Sequence, residues 1–403
     1  MIKKYQTALN RLKTLEGHIS MTPEAKKERS KSSFNLESAQ EAIFDSFPQS
    51  YFDMLKCADD VNATDPTHHW DTIPEQKVEA QRAMVDTLNK MFELQYTTPQ
   101  YISKNIDEFM LGATALSSVN NSSSIKYQVQ LGLYCKAIRL LGTQKHYEDL
   151  IRGCSLQDIG AFCLTEIGHG SNINGIETTA KYDHELNGFI IHSPNRKSVK
   201  HWATNLGISA NKVIVFANLI IKKKKYGIHA FLIPIRDEVN KPFPGLRIGE
   251  LSTKKGHHGL DTGYMQLREY YVDKDCLLNR YCSINDNGEY STKLDPKTGH
   301  MSIIQSIMIG ARIALSNSSA NAGLRAASIA LRYGAVRRQF KASPGSDEAV
   351  LLDYTNHQYR LIPGFCENLI HMIGTSKLSQ DWRDLGYNGV KELSVEDEDT
   401  LSA

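Results

Sequence analysis

Between about Ala161 and Val272 the chain is a succession of short β-rich runs with no helical pattern between them, and this window constrains the fold more than any other feature. Gly188-Phe-Ile-Ile-His192, Lys212-Val-Ile-Val-Phe-Ala217 and Gly227-Ile-His-Ala-Phe-Leu-Ile-Pro234 alternate or run continuously apolar, as half-buried and fully buried strands do. Turn residues separate them, as at Lys241-Pro-Phe-Pro-Gly245. Strands that follow one another without helices favour an antiparallel barrel or sandwich over a doubly wound sheet. On either side the period changes to that of helices. Upstream, apolar residues recur at three and four through Tyr127–Tyr134 and on to Ile138, Leu140 and Leu141. Downstream of a polar loop at 285–300, Ile304, Ile307, Met308, Ala311 and Leu315 share a face that Ala322, Ala326, Ile329, Ala330 and Tyr333 continue. The expected fold is therefore α+β and multi-domain: a helical part, a middle antiparallel β-barrel, and a second helical part.

Charge excludes several functions. Lys plus Arg is 47 against 45 for Asp plus Glu, a net +2, which supports neither a nucleic-acid polyelectrolyte site nor a basic membrane binder. No uninterrupted apolar run reaches the roughly 18 residues of a spanning helix. Seven cysteines are scattered without a C-x-x-C pair, so neither a zinc site nor a disulfide framework is expected. At 403 residues, with 41% hydrophobic and 23% charged side chains, the chain can bury more than one core. The Lys222–Lys225 run lies between two strands and reads as a solvated hairpin turn.

Three segments carry chemistry. The first is Leu164-Thr-Glu-Ile-Gly-His-Gly-Ser-Asn172, trailing into Ile-Asn-Gly-Ile-Glu-Thr-Thr-Ala180. Its glycines let backbone N–H groups approach an anion, with Thr165 and Ser171 as further donors. The spacing is not that of a dinucleotide fingerprint, and on glycine content alone a plain turn is an equal reading. The second is Lys200-His-Trp-Ala-Thr-Asn205, where an indole and a hydroxyl two residues apart suit a flat ring, or equally a core Trp and a strand-end Thr. The third is Arg332-Tyr-Gly-Ala-Val-Arg-Arg-Gln-Phe340, either a helix end capped by cations or a phosphate-binding corner.

In that order and spacing the three segments resemble the acyl-CoA dehydrogenase and oxidase superfamily. The oxidase branch is indicated by His169 with the trailing Glu-Thr-Thr-Ala, by Tyr226-Gly-Ile-His-Ala-Phe231 with Ile235-Arg-Asp237, and by Leu352-Asp-Tyr-x-x-x-Gln-Tyr359. The start Met21-Thr-Pro-Glu to Asn35 is similar to oxidase N-termini as well, so the resemblance runs from about Met21 to Leu378. It implies FAD as cofactor, held between the middle and C-terminal domains. Thr165 would hydrogen-bond the isoalloxazine, Gly170 and Ser171 would lie near the phosphates and the thioester, Trp202 would pack along the ring, and Thr204 would reach N5. Arg337 and Gln339 match positions that contact the FAD of a neighbouring subunit, which implies a homodimer. Arg312 matches an arginine lining the acyl-CoA site, and is otherwise a surface charge.

The implied reaction converts acyl-CoA to trans-2-enoyl-CoA, with molecular oxygen taking the electrons as hydrogen peroxide. Ala203-Thr-Asn205, where many oxidases carry Pro-Gly-Gly, looks more like the dehydrogenase version and leaves an electron-transfer flavoprotein as the competing acceptor. The organisation expected is a targeting extension at 1–20, an N-terminal helical domain at 21–160, a middle β domain at 161–275, and the first part of a C-terminal helical domain at 300–403. Arg11-Leu12, then five residues, then His18-Ile19 resembles the type 2 peroxisomal signal, so the import receptor is an expected partner and the peroxisome the expected location. Ser376-Lys-Leu378 is internal and should be silent. No glutamate after Tyr354 (Glu367, Glu392, Glu396 and Glu398) sits in the family's catalytic context, so the base is expected beyond Ala403. That leaves a non-catalytic flavin- or acyl-CoA-binding fragment as a further reading.

Overall fold

A computed structural model describes residues 77–99, 106–285, 287–295, 299–341 and 343–384, with Ser30, Asp53 and Lys56. The expected targeting extension, the oxidase-like start at Met21–Asn35 (Ser30 apart) and the acidic stretch Glu392–Asp399 lie outside these residues. No described helix is long and apolar enough to cross a membrane.

The N-terminal helices are α1 (Lys77–Glu93), α2 (Ile106–Val119) and α3 (Asn121–Tyr127), which runs through a π segment (Gln128–Cys135) into α4 (Lys136–Leu141); α5 (Tyr147–Cys154) follows. Helix α1 buries Ala80, Ala83, Met84, Thr87, Leu88 and Met91, the stripe a helix laid on a core must show. Asn120 starts α3 as its N-cap, its side chain accepting from Ser122 N at 2.9 Å and Ser123 N at 3.3 Å. The sequence pattern at Tyr127–Leu141 predicts an amphipathic helix with one wet face. Instead, most of this stretch is buried, because both the β part and the C-terminal helices pack on it. Its eight-residue π segment is a departure from α geometry of the kind that often marks a functional site.

The strands are β1 (Gly160–Cys163), β2 (Thr179–Asp183), β3 (Gly188–His192), β4 (Lys200–Ala203), β5 (Lys212–Ile221), β6 (Lys224–Pro234), β7 (Leu246–Glu250), β8 (Gly263–Leu267) and β9 (Tyr270–Asp273). One sheet has β5 at its centre, with β6 on one side, β1 and β2 sharing the other, then β3 and β9. The second sheet runs β4-β8-β7. Two pairings, β1 with β5 and β2 with β5, are parallel, so the middle part is mixed rather than wholly antiparallel. The loop between β1 and β2 and the long return through β3 and β4 bring both strands to β5 in the same direction. The large sheet curls until the stretch after β9 meets β6 at a single bridge, Phe231 with Leu277. The result is a partial barrel.

The continuous apolar run of β5 is explained by what covers each face. Val213, Val215, Ala217, Leu219 and Ile221 point into a core closed by the second sheet, with Met265 and Leu267 opposite. Ile214 and Phe216 point the other way, into the core shared with Leu131, Ile138 and the C-terminal helix. A strand covered on both sides needs no polar alternation. Phe216 is wholly buried and packs on Phe162 with ring centroids 4.8 Å apart. Its truncation to Ala should cost about 3–5 kcal/mol. Lys222 and Lys223 form the β5–β6 turn with φ of 49° and 67°, while Lys224 and Lys225 open β6.

After the hairpin β10 (Cys282–Ile284) and β11 (Tyr290–Thr292) comes α6 (Gly299–Val336), 38 residues long. A small ribbon, β12 (Arg338–Lys341) and β13 (Glu348–Val350), joins it to α7 (Thr355–Asp384). The expected apolar face of α6 splits in two. Ile304 and Ile307 are buried, whereas Leu315, Ile329 and Tyr333 are exposed at 65%, 61% and 58%.

Candidate functional site

The first motif is a loop, and an internal carboxylate holds its shape. Glu166 leaves β1 and turns inward, with its Oε1 3.0 Å from Lys200 Nζ. The same carboxylate accepts from Glu177 N at 2.9 Å, Thr178 N at 3.0 Å and Thr178 Oγ1. Burial alone would raise this carboxyl; the Lys200 ammonium and the three donors outweigh it and hold it below the usual value. Lys200 Nζ also donates to Leu164 O at 3.3 Å. Thus both ends of the loop are tied to the residue that opens the second motif. Around the outside, His169 Nε2 meets Glu177 Oε1 at 3.2 Å, and Asn195 Nδ2 donates to Glu177 Oε2. Gly168 donates its N–H to Lys197 O at 2.8 Å, an approach so close that a Cβ there would stand 2.8 Å from Lys197 Cβ.

The structure brings Thr165, Trp202 and Thr204 into one neighbourhood. His201 N donates to Thr165 O at 3.0 Å, and an isolated bridge pairs Glu166 with Lys200, so the loop and β4 lie side by side. Gly170 and Ser171 are exposed at the tip, and nothing lies within 4 Å of where a Cβ would stand on Gly170. Trp202 sits at a ladder irregularity in β4 with φ of 64°, its side chain 59% exposed. A bulky residue rarely takes positive φ. Here the ladder turns the indole out of the core, while Ala203 and Asn205 on either side of Thr204 are buried. The core-Trp reading of the sequence is thereby excluded.

Behind this corner lies a buried polar cluster that sequence reasoning missed. Lys126 Nζ donates to Asn205 Oδ1 at 2.8 Å and to Asp261 Oδ1 at 3.0 Å. Asn205 Nδ2 in turn donates to Gly160 O at 2.9 Å, at the start of β1. Gln130, in the π segment, supports the same strand: it accepts from Gly160 N at 2.8 Å and donates to Gly153 O and Asp158 O, both at 2.9 Å. The helix α3–π–α4 therefore fixes the strand from which the loop departs. Nothing in the local pattern around Lys126 marks it, because its acidic partner is 135 residues away.

On its opposite face the same helix walls a cavity of about 360 Å³ with α2, α6 and Trp382 of α7. The lining is mainly apolar, including Phe109, Val129, Leu133, Ala314 and Leu315. Ser318 Oγ is buried there with no hydrogen-bond partner among the described residues. Arg312 is exposed on α6, one residue beyond the lining residue Ala311. Arg337 and Gln339 are elsewhere. They follow α6, in and beside the small ribbon, with Arg337 O accepting from Leu351 N at 2.8 Å and Gln339 O from Tyr354 Oη at 2.8 Å. No described hydrogen bond or ion pair joins either of them to the loop or to Trp202. Among the described residues, no three His, Cys, Asp or Glu side chains are grouped to hold a metal ion.

A helical part, a mixed curled sheet with an inward-clamped Gly-rich loop, and a long helix behind a mainly apolar cavity define an acyl-CoA dehydrogenase-type architecture. Residues 161–270 match the acyl-CoA dehydrogenase middle domain, and residues 306–401 match the acyl-CoA oxidase C-alpha1 domain. Over the region it spans, the chain belongs with the acyl-CoA oxidases. Acyl-coenzyme A oxidase 2 of Candida tropicalis is 31% identical over 322 residues, covering 78% of this chain and 43% of that protein. Human peroxisomal acyl-coenzyme A oxidase 1 is 38% identical over 217 residues, 53% of this chain and 32% of the relative. Among solved structures, acyl-CoA oxidase 3 of Yarrowia lipolytica superposes with a TM-score of 0.76 at 27% identity, over 90% of this chain and 51% of that one. Acyl-CoA oxidase-1 of Caenorhabditis elegans, complexed with FAD and ATP, gives 0.73 at 25% identity over 91% and 54%. The chain thus spans about half the length of these solved structures and less than half of the two sequence relatives.

Proposed function

We propose that this chain supplies the flavin-binding part and the acyl cavity of an FAD-dependent acyl-CoA oxidase, which forms trans-2-enoyl-CoA and hydrogen peroxide in the peroxisome. The single observation that carries the proposal is the convergence of an exposed, backbone-strained Trp202, half-buried Thr204 and Thr165, and the open Gly170–Ser171 tip. These residues fit FAD. An indole standing out from a strand offers a flat apolar face, and the neighbouring hydroxyls offer donors to a heteroaromatic edge. The glycine tip leaves room for a phosphate or a thioester.

FAD held by Thr165, Trp202 and Thr204 would supply a hydride acceptor for the acyl thioester and a route for two electrons to oxygen. The chain's own residues bind and orient. Glu166 and Lys200 hold the loop rigid, so its N–H groups are set before ligand arrives, which is how positioning lowers a barrier. Thr165 and Thr204 fix the ring edge, and Ser171 the thioester side. The cavity excludes water from the acyl tail, and Arg312 stands at its rim. No carboxylate lines that cavity among the described residues, so the α-proton acceptor is assigned to none of them. Arg337, exposed just past the end of α6 and some 25 residues beyond Arg312, hence about 38 Å along the helix, and half-buried Gln339 two residues further on suit contact with the FAD of a second copy, making the assembly a homodimer.

The test loads the purified chain with FAD and titrates it with hexadecanoyl-CoA and trans-2-hexadecenoyl-CoA. Either thioester is expected to perturb the flavin's visible absorption. A flavin band unchanged by both would overturn the proposal.

A further inference from the structure

A serine inside a helix commonly points to solvent or returns its hydroxyl to the carbonyl four residues back. On α6, Ser316 donates to Arg312 O at 3.0 Å and Ser319 to Leu315 O at 2.8 Å. Ser318, between them, does neither. It is 9% exposed, it lines the apolar cavity behind α6, and its Oγ has no hydrogen-bond partner among the described residues. A hydroxyl left unpaired in an apolar wall costs stability, and a ligand oxygen that pairs with it removes that cost.

The facing helix offers a complementary group at the same depth. The two walls run antiparallel: a Cβ on Gly310 would stand 3.1 Å from Lys136 Nζ, while Asn321 Nδ2 donates to Ser117 Oγ at 3.3 Å, close to where α2 hands over to α3. Ser318 follows Gly310 by eight residues and Gln128 precedes Lys136 by eight, so each stands roughly 10 Å from that shared end. Gln128 also lines the cavity, and its Nε2 donates to Ser124 Oγ at 2.9 Å, which leaves its Oε1 as an acceptor. Between this level and the Gly310 end the lining is apolar at Val129, Leu133, Ala314 and Leu315. The Trp382 ring stands at that end, over Lys136 with Nζ 4.6 Å from its centroid. A hydroxyl on one wall and an amide carbonyl on the other, level with each other, match an oxygen carried partway along a hydrocarbon chain. We propose that the cavity takes an acyl chain bearing a hydroxyl near its middle, which accepts from Ser318 Oγ and donates to Gln128 Oε1. This rests on the acyl-CoA reading given above. A depth of roughly 10 Å is about eight carbons of extended chain, the middle of a hexadecanoyl group whichever of its ends lies at Gly310.

Isothermal titration of the flavin-loaded chain compares hexadecanoyl-CoA with its 6-, 8- and 10-hydroxy derivatives. The best placed of the three is expected to bind about fivefold more tightly than hexadecanoyl-CoA, a factor that neutral hydrogen bonds supply. Ser318→Ala is expected to bring the two affinities together. Its melting temperature should equal or exceed that of the wild type, because an unpaired buried hydroxyl is gone. Hydroxy derivatives that bind no better than hexadecanoyl-CoA, or a preference that survives Ser318→Ala, overturn the inference and leave the acyl-CoA reading standing. Weakening of hexadecanoyl-CoA and its derivatives by one common factor in Ser318→Ala assigns the hydroxyl to the thioester carbonyl, and the mid-chain inference falls. Binding of no thioester overturns both.

Discussion

Lys126 Nζ lies 3.0 Å from Asp261 Oδ1 with both side chains almost wholly buried, and this pair ties a helix of the N-terminal part to the corner that carries Trp202 and Thr204. Asp261 Oδ2 also accepts from Ser209 N and Ser209 Oγ, each at 2.7 Å. Burial would raise this carboxyl, but Lys126 and Ser209 together hold it below its usual value. Removing one partner leaves an uncompensated charge. Lys126→Met should therefore lower unfolding stability by about 3–5 kcal/mol, read from urea denaturation, and weaken FAD binding through Asn205. Unchanged stability would show that the pair is not a latch.

The loop clamp makes a second expectation. Glu166→Gln keeps the size of the side chain but strands Lys200 without its counter-charge in a fully buried position. We expect a loss on the order of 3 kcal/mol in stability and a weaker FAD complex, measured by thermal melting with and without FAD. In the double variant Glu166→Gln with Lys200→Met, stability should recover in part while FAD affinity stays low. Recovery of both would mean that the clamp does not shape the loop.

Acid sensitivity should trace in part to Glu166 and Asp261 and in part to Asp158. Burial opposes its ionisation, but Arg152, Lys212 and Asn211 outweigh this and bring it down from 3.8 to about 2. Arg152 Nε and Nη2 each donate to it at 2.9 Å, and Lys212 Nζ stands 3.0 Å away. Because the folded value is the lower one, the stabilisation is complete above about pH 5 and is lost as pH falls through 4 towards 2. It amounts to about 2 kcal/mol. Asp158→Asn should flatten the pH dependence of the denaturation midpoint over that window. A slope equal to that of the wild type would contradict the assignment.

Much of this was legible beforehand. The helix–β–helix order and the strand runs at Gly188–His192 and Lys212–Ala217 follow from period, whereas the nearness of the Thr165 loop to the Trp202 strand is an expectation of the family resemblance alone. Two parallel strand pairings were not legible, because strand order depends on how the long β1–β2 and β3–β4 returns cross the sheet, and local pattern does not encode that. Lys126, Asp261, Gln130, Lys136 and Trp382 were also missed. Each acts through a partner brought close only by packing, and buried polar side chains on a helix carry no period of their own. Arg337 and Gln339 remain apart from the loop within one chain, so their assignment rests on a second copy.

Trp202 separates function from fold in one substitution. Its φ of 64° is unfavourable for an indole-bearing residue, and its side chain is mostly solvent-exposed. Trp202→Gly should relieve strain of about 1 kcal/mol and leave the melting temperature equal or higher, while FAD affinity falls about tenfold or more. A drop in melting temperature with FAD binding unchanged would make Trp202 a structural residue.

The central claim is that Thr165, Trp202, Thr204 and the Gly170–Ser171 tip form a flavin site, and titrating FAD into the purified chain while following flavin fluorescence tests it most directly. The expected result is saturable quenching at one FAD per chain, with the quenching lost in Trp202→Ala. Flavin that stays free and fully fluorescent at every protein concentration would contradict the account.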